Sequence, residues 1–178
     1  MRAQRGSMSY SEKWLQKALK NNPSLRVSAA SMTQLAAMQS TAGMPKYGNS
    51  KVYVYEDGWV SALKSEKGHG DVSEVYDSEK EYKRWGELQL LQGAGAIKNL
   101  ERQKRLLIQE PFVYSGERVN RIEYIADFVY TRTADGICVV EDVKAFDEAT
   151  QKYRLTEAFS LKWKLLKHRY PEYRFELY

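Results

Sequence analysis

The stretch RIEYIADFVYTRTADGICVVEDVKA, residues 121–145, contains two strand-like runs with a turn between them. The runs, Arg121 to Thr131 and Ile137 to Ala145, are rich in the β-branched and aromatic residues that favour strands. Ala134-Asp135-Gly136 supplies residue types that hairpin turns use. The pattern therefore predicts two neighbouring strands joined by a hairpin turn.

Charged side chains interrupt both of these apolar runs. Asp142 and Lys144 are two positions apart, so they point to one face of their strand. If the strands are neighbours, Asp127 can stand beside Asp142. A charge in a half-buried strand is costly unless it is paired or binds a metal. Two interpretations stay open: a catalytic metal site, or a buried Asp-Lys ion pair that only fixes the strands.

The catalytic interpretation gives each residue type a role. Two carboxylates a few ångströms apart repel each other, and a divalent cation relieves that repulsion. Mg²⁺ prefers hard oxygen ligands and commonly takes only one or two carboxylates. On Asp127 and Asp142 it could activate a water molecule and neutralise charge on a phosphodiester. Lys144 could orient the attacking water or stabilise the developing negative charge.

The sequence around this pair predicts both helices and further strands. Ser78-x-x-Glu81 is a capping-box pattern, and it begins a helix whose apolar residues recur to Leu91. This order of elements predicts an α/β fold around a mixed sheet. The other predicted elements are strands at Lys51 to Tyr55, Arg105 to Tyr114 and Tyr173 to Tyr178, and a helix at Thr156 to His168.

The chain before Lys46 predicts a helical extension. One helix, capped by Ser9 or Ser11, ends at Asn21-Asn22-Pro23, and a second covers Met32 to Gln39. We therefore divide the chain into an N-terminal helical extension, residues 1–45, and a main domain, residues 46–178.

Composition narrows the classes of protein. The 178 residues carry a net charge of +5 with a pI of about 9.1, which suits a polyanionic partner such as nucleic acid. Cys138 is the only cysteine, which excludes an internal disulfide and a cysteine-based zinc site. No apolar stretch approaches the roughly 18 residues of a membrane span, and the start lacks a signal-peptide core. We therefore expect a cytoplasmic protein without a membrane partner.

Several segments of the chain resemble a known superfamily. Ile125-Ala126-Asp127-Phe128, followed by Val140-Glu141-Asp142-Val143-Lys144, resembles the PD-(D/E)XK nucleases. More closely, the chain resembles a family of phage and prophage proteins, long known as a domain of unknown function, that is assigned to this superfamily. The order and spacing of the segments carry the likeness. The remaining ones are Lys46 to Val52, Tyr76 to Glu81, Asn99 to Gln103 and Thr156 to Leu165.

The resemblance implies a restriction-endonuclease-like fold, a three-layer sandwich with a central mixed sheet flanked by helices. Asp127 and Asp142 would be ligands of Mg²⁺, or of Mn²⁺, and Lys144 would be the catalytic lysine. Glu81 matches the acid that completes such sites, although it is also the natural N3 partner of the capping box. This sequence has Ala126 where the pattern expects proline. The stretches 56–75 and 146–155 are also longer than expected.

The function that the resemblance implies is metal-dependent hydrolysis of DNA phosphodiesters by an endonuclease. By analogy with small phage resolvases, branched or junction DNA in phage replication or recombination is one candidate substrate. A homodimer would suit the cutting of two strands, in a bacterial or phage-infected host cell. Two alternatives remain: a non-catalytic nucleic-acid-binding protein that retains the fold, and a structural protein whose strand acids are ion-paired.

Five further residues are candidates for nucleic-acid contact. Lys162 and Lys164 could reach phosphates, but positions two apart do not share a helix face, and a solvated basic face is the alternative. Gln103 could lie beside the site at the start of a strand, or it could be purely structural. Lys46 and Tyr47 belong to a polar loop that could contact DNA.

Overall fold

The computed structural model describes residues 51–178, which form eleven strands and two helices. The predicted extension of residues 1–45, together with Lys46 and Tyr47, lies outside the described residues. The strands are β1 (Val52–Tyr55), β2 (Val60–Ser61), β3 (Val72–Tyr76), β4 (Ile97–Gln109), β5 (Phe112–Tyr114), β6 (Glu117–Val119), β7 (Ile122–Arg132), β8 (Cys138–Asp142), β9 (Phe146–Asp147), β10 (Lys152–Tyr153) and β11 (Arg174–Leu177). The helices are α1 (Glu79–Gly93) and α2 (Glu157–Arg169).

The central sheet has the strand order β11-β8-β7-β4. β7 pairs antiparallel with both β4 and β8, and the predicted turn joins β7 to β8 with Gly136 at a φ of 71°. β11 pairs parallel to β8. The central sheet is therefore mixed and the fold is mixed α/β, as the sequence predicts. No helix within residues 51–178 is long and apolar enough to cross a membrane.

Three smaller sheets surround the central one: β2-β1-β3, the β5–β6 hairpin and the β9–β10 hairpin. The prediction of one strand from Arg105 to Tyr114 is wrong, because β4 begins at Ile97 and ends at Gln109 before β5 starts. Pro111 lies in the break, where a residue without a backbone N–H cannot donate to a ladder. The long stretch 146–155 contains the β9–β10 hairpin.

The core lies on both sides of β8. Val139 is fully buried in a cluster with Phe128 and with Leu88 of α1. Val140 is equally buried in a second cluster, which contains Trp163 of α2. Because adjacent strand residues point to opposite faces, the two helices contribute to clusters on different faces of this strand.

The face alternation of β7 reverses at Asp127. Ala126 belongs to the α2 cluster and Phe128 to the α1 cluster, although residues two apart on a regular strand share a face. Opposite Asp127 on β4, Gln103 has a φ of 51°, so the distortion affects both strands. The ladder between β7 and β8 ends one pair earlier, at Phe128 and Glu141. Asp127 therefore lies where the sheet opens.

Candidate active site

A cleft of about 650 Å³ opens beside the N-terminus of α1 and the end of β8. Three of the four predicted catalytic residues, Glu81, Asp127 and Lys144, line it together although they come from distant parts of the sequence. The other lining residues are Asp77, Ser78, Glu79, Lys80, Val143, Ala145 and Arg154. The cleft is therefore rich in both acids and bases.

The Asp127 carboxylate is held by the main chain beyond β8. Its Oδ2 accepts a hydrogen bond of 2.8 Å from the Val143 N–H. Burial raises the pKa of Asp127, while the Val143 N–H and the charge of Lys144 act in the opposite direction. A carboxylate that is costly to ionise in this way gains from a nearby cation.

Glu81 takes part in the cap of α1 and also lines the cleft, while its role as a metal ligand stays a prediction. Its N–H donates to the Ser78 Oγ at 3.1 Å, which confirms the cap. Its Oε2 accepts from the N–H of Asp77 at 3.0 Å, so the capping box closes one residue earlier than usual. Burial raises the pKa of Glu81, the Asp77 N–H opposes this, and the charge of Asp127 adds to it.

Gln103 contacts this site, since its Nε2 lies 3.4 Å from the Glu81 Oε1. It lies inside β4 and not at the start of a strand, because β4 begins six residues before it, at Ile97. Its left-handed backbone allows the side chain to leave the regular face alternation of the strand. Gln103 therefore helps to orient Glu81.

Asp142 lies behind the cleft and is only 2% exposed. The Tyr124 hydroxyl donates to its Oδ1, and the Lys144 ammonium contacts its Oδ2 as an ion pair. This Oδ2 has no hydrogen bond of regular geometry, so the contact with Lys144 is electrostatic. These are the contacts of the buried ion pair that the sequence leaves open as the alternative to a catalytic site.

Lys144 has left the strand, because β8 ends at Asp142 and not at Ala145 as predicted. Its N–H donates to the main-chain oxygen of Tyr178 at 3.0 Å, and its own carbonyl accepts from the Lys80 Nζ at 2.8 Å. Burial lowers the pKa of Lys144, and the charges of Asp127 and Glu81 oppose that effect. The ammonium also lies 4.5 Å from the centre of the Phe159 ring.

Sequence reasoning missed two cationic residues of the cleft, Lys80 and Arg154. The Lys80 Nζ also donates to the Tyr178 main-chain oxygen at 2.6 Å. Its position beside Glu81 in the capping box was a usable signal. Arg154 follows β10, and its place in the cleft depends on a hairpin that the sequence pattern did not indicate.

The two candidate lysines of α2, Lys162 and Lys164, are not among the residues that line the cleft. Trp163 lies between them and is buried against the sheet, so Lys162 and Lys164 flank the buried face on opposite sides. This agrees with the expectation that the two lysines do not share a helix face. Lys46 and Tyr47 lie outside the described residues.

The oxygen donors of the cleft fit a hard divalent cation. One oxygen of Asp127 binds the Val143 N–H, which leaves the other for a ligand, and Glu81 faces the same space. Mg²⁺ is commonly bound by one or two protein carboxylates and keeps several water ligands. Within residues 51–178, no three His, Cys, Asp or Glu are grouped as a preformed metal site. A cation here would therefore rest on Asp127, Glu81 and water.

We expect Asp127→Asn to raise the melting temperature of the metal-free protein at neutral pH. The raised pKa means that the folded state binds the proton more tightly than the unfolded state does. Stability relative to the Asn variant therefore falls as pH rises from the ordinary value of 3.8 through the raised value. Thermal melts in EDTA at pH 7.5 and near pH 4 test this, and the difference should shrink at the lower pH.

Asp135→Asn is the matched control for this change. Its carboxylate accepts from the Ile137 N–H, which lowers the pKa of Asp135, so this variant must not raise the melting temperature.

Adding Mg²⁺ or Mn²⁺ should stabilise the wild type and leave the melting temperature of Asp127→Asn unchanged. Equal stabilisation of both proteins would contradict a cation on Asp127.

The fold and the cleft together define a mixed α/β protein whose sheet opens onto an acid-and-lysine site. Residues 64–177 match the family described as "Protein of unknown function (DUF1064)". Because the match spans more than half of the chain, the protein belongs to this family. No curated protein matches the chain.

Proposed function

We propose that this protein is a metal-dependent deoxyribonuclease that hydrolyses phosphodiester bonds. One observation carries the proposal: Asp127 and Glu81 with raised pKa values share a cleft with Lys144, whose pKa is lowered. Titratable groups with such shifts gather at catalytic sites more often than elsewhere. The net charge of +5 suits an anionic polymer as substrate.

The proposal includes a restriction-endonuclease-like three-layer sandwich of the PD-(D/E)XK superfamily. The mixed central sheet supports it, as do the separate clusters that Val139 forms with α1 and Val140 with α2. The opening of the sheet at Asp127 supports it further, because a divergence of strands gives the carboxylate access to solvent. A phage or prophage origin belongs to the same proposal.

In this mechanism Asp127 and Glu81 would hold Mg²⁺ or Mn²⁺, and the bound ion would supply acidification of a water molecule and neutralisation of phosphate charge. Lys144 donates to the anionic oxygens as negative charge develops on the phosphate. Asp142 and the Tyr124 hydroxyl position that ammonium from behind the cleft. A role for Asp142 as a metal ligand would require Lys144 to move away from it.

The proposed substrate is DNA, with branched or junction DNA as the candidate that a recombination role would favour. Cleavage of a labelled panel tests this: single-stranded, duplex, flap and four-way-junction DNA, each with Mg²⁺, Mn²⁺ or EDTA. We expect cutting in metal and none in EDTA. In Asp127→Asn the rate should fall by at least roughly 100-fold, because several kcal/mol of charge stabilisation are lost. Analysis of the active species by sedimentation tests the proposed homodimer.

The second candidate function is non-catalytic binding of nucleic acid on the same fold. The contacts of Asp142 favour it, since the Lys144 ammonium and the Tyr124 hydroxyl already contact both oxygens of that carboxylate without a metal. Binding across the panel without cutting in either metal would establish this candidate and overturn the nuclease proposal.

A further inference from the structure

We propose that Arg154 binds a backbone phosphate of the nucleic-acid substrate, which makes the β9–β10 hairpin a substrate-binding element of the cleft. This inference rests on the proposed function, because it needs a nucleic acid in that cleft. It assigns a purpose to the stretch 146–155, which contains this hairpin.

The charge balance of the cleft favours a basic side chain that faces the substrate. Lys51 lies 2.8 Å from Asp77 and reduces its charge. Lys83 likewise lies 2.5 Å from Glu79. The remaining acids repel a polyanion unless a basic group offsets them. The carboxylates that line the cleft are Asp77, Glu79, Glu81 and Asp127.

Two of the three cations that line the cleft are already engaged. The Lys80 ammonium donates to two main-chain oxygens and lies 5.0 Å from the centre of the Tyr178 ring. The Lys144 ammonium contacts Asp142. Within the described residues, Arg154 is therefore the cleft cation best able to meet an incoming phosphate.

The Arg154 side chain is 76% exposed, and its ion-pair partner, Asp147, lies 3.4 Å away. That distance is long for a charge-assisted hydrogen bond, and exposed pairs of this kind contribute little. The guanidinium can therefore exchange this partner for a phosphate at small cost. Its planar fork of donors matches two phosphate oxygens at once, whereas an ammonium acts as a point charge.

The main chain of Arg154 is fixed even though its side chain is exposed. Its N–H donates to the carbonyl of Ala145, the residue after Lys144, at 2.8 Å. The preceding residue, Tyr153, donates its hydroxyl to the Leu177 carbonyl on β11 at 3.0 Å. The hairpin is thus held to the same segment that carries the catalytic lysine, so its position relative to the site is fixed.

The salt dependence of binding tests this role. Fluorescence anisotropy of labelled duplex DNA is measured in EDTA, which prevents cleavage, over a series of salt concentrations. We expect Arg154→Ala to weaken binding roughly tenfold. The slope of log K against log salt should also become shallower by about 0.9, the value for one lost phosphate contact. Arg154→Lys should keep most of the slope.

Arg174→Ala is the matched control. Its side chain is 65% exposed and lies 3.3 Å from its ion-pair partner, Glu176. Arg174 begins β11, whereas Leu177 at the other end of this strand pairs with Asp142 beside the cleft. Its affinity and slope should equal those of the wild type. A wild type that binds and cleaves DNA while Arg154→Ala keeps the full slope would overturn the role of Arg154 and leave the nuclease intact. A wild type that neither binds nor cleaves DNA would overturn both proposals.

Discussion

Lys144→Met is expected to slow metal-dependent DNA cleavage by about 10²- to 10³-fold, the usual loss when one donor to a developing charge is removed. Methionine keeps most of the aliphatic length of the side chain and its packing near Phe159, so the change removes chiefly the ammonium. Single-turnover rates at saturating enzyme measure the chemical step directly. DNA affinity in EDTA should change much less than the rate.

The difficulty with this variant is that it leaves the Asp142 carboxylate buried without its cation. A loss of activity could then reflect a loss of stability. The double variant Lys144→Met/Asp142→Asn removes the unpaired charge, so we expect it to melt near the wild type and to remain inactive. Recovery of activity in the double variant would mean that Lys144 is structural.

Lys104→Met is the matched control for this experiment. Lys104 also pairs with an acid, Glu101 at 2.6 Å, but it lies on β4 and does not line the cleft. Its loss should leave the cleavage rate within about twofold of the wild type, as for surface changes away from the site. A comparable loss in both variants would indicate a general effect of lysine charge on DNA binding.

The sequence predicted those features of the fold that depend on local chemistry. Ser78 and the turn around Gly136 carry their own signals, because a cap and a left-handed turn each need particular residue types. The sequence does not predict the first half of β4, from Ile97, because that half is mostly polar and has left-handed backbone at Asn99 and Gln103. Its true extent depends on pairing with β7, which no short window of sequence contains.

In the site, too, the sequence predicts the locally marked residues and misses those that depend on tertiary contacts. Asp127 and Lys144 stood out as charges in apolar runs, and the cleft does bring them together with Glu81. The sequence does not predict the contact of the Tyr124 hydroxyl with Asp142, because β7 reverses its face alternation between Ala126 and Phe128. Arg154 reaches the cleft only through tertiary contacts of its hairpin.

Arg84→Met is expected to lower the free energy of unfolding by about 3–5 kcal/mol, the cost of leaving a buried charge without its partner. The guanidinium donates to both oxygens of Glu141, at 2.6 and 2.7 Å, and to the Glu87 Oε2 at 2.9 Å. All three residues are at most 7% exposed. Without Arg84, two buried carboxylates lose their shared cation, and the hydroxyls of Tyr130 and Tyr178 remain as hydrogen-bond donors to them.

Urea unfolding of Arg84→Met and Arg132→Met shows whether burial of the ion pair, and not pairing alone, causes the loss of unfolding free energy. Arg132 pairs with Asp135 at 2.7 Å, but both side chains are exposed, so its loss should cost less than about 1 kcal/mol. Adding Glu141→Gln to Arg84→Met should recover part of the loss, because it removes one of the two unpaired charges. A cost for Arg84→Met no larger than the control would mean that water reaches Glu141. A large cost would mean that the buried pair holds α1, which carries Glu81, against the residue before Asp142.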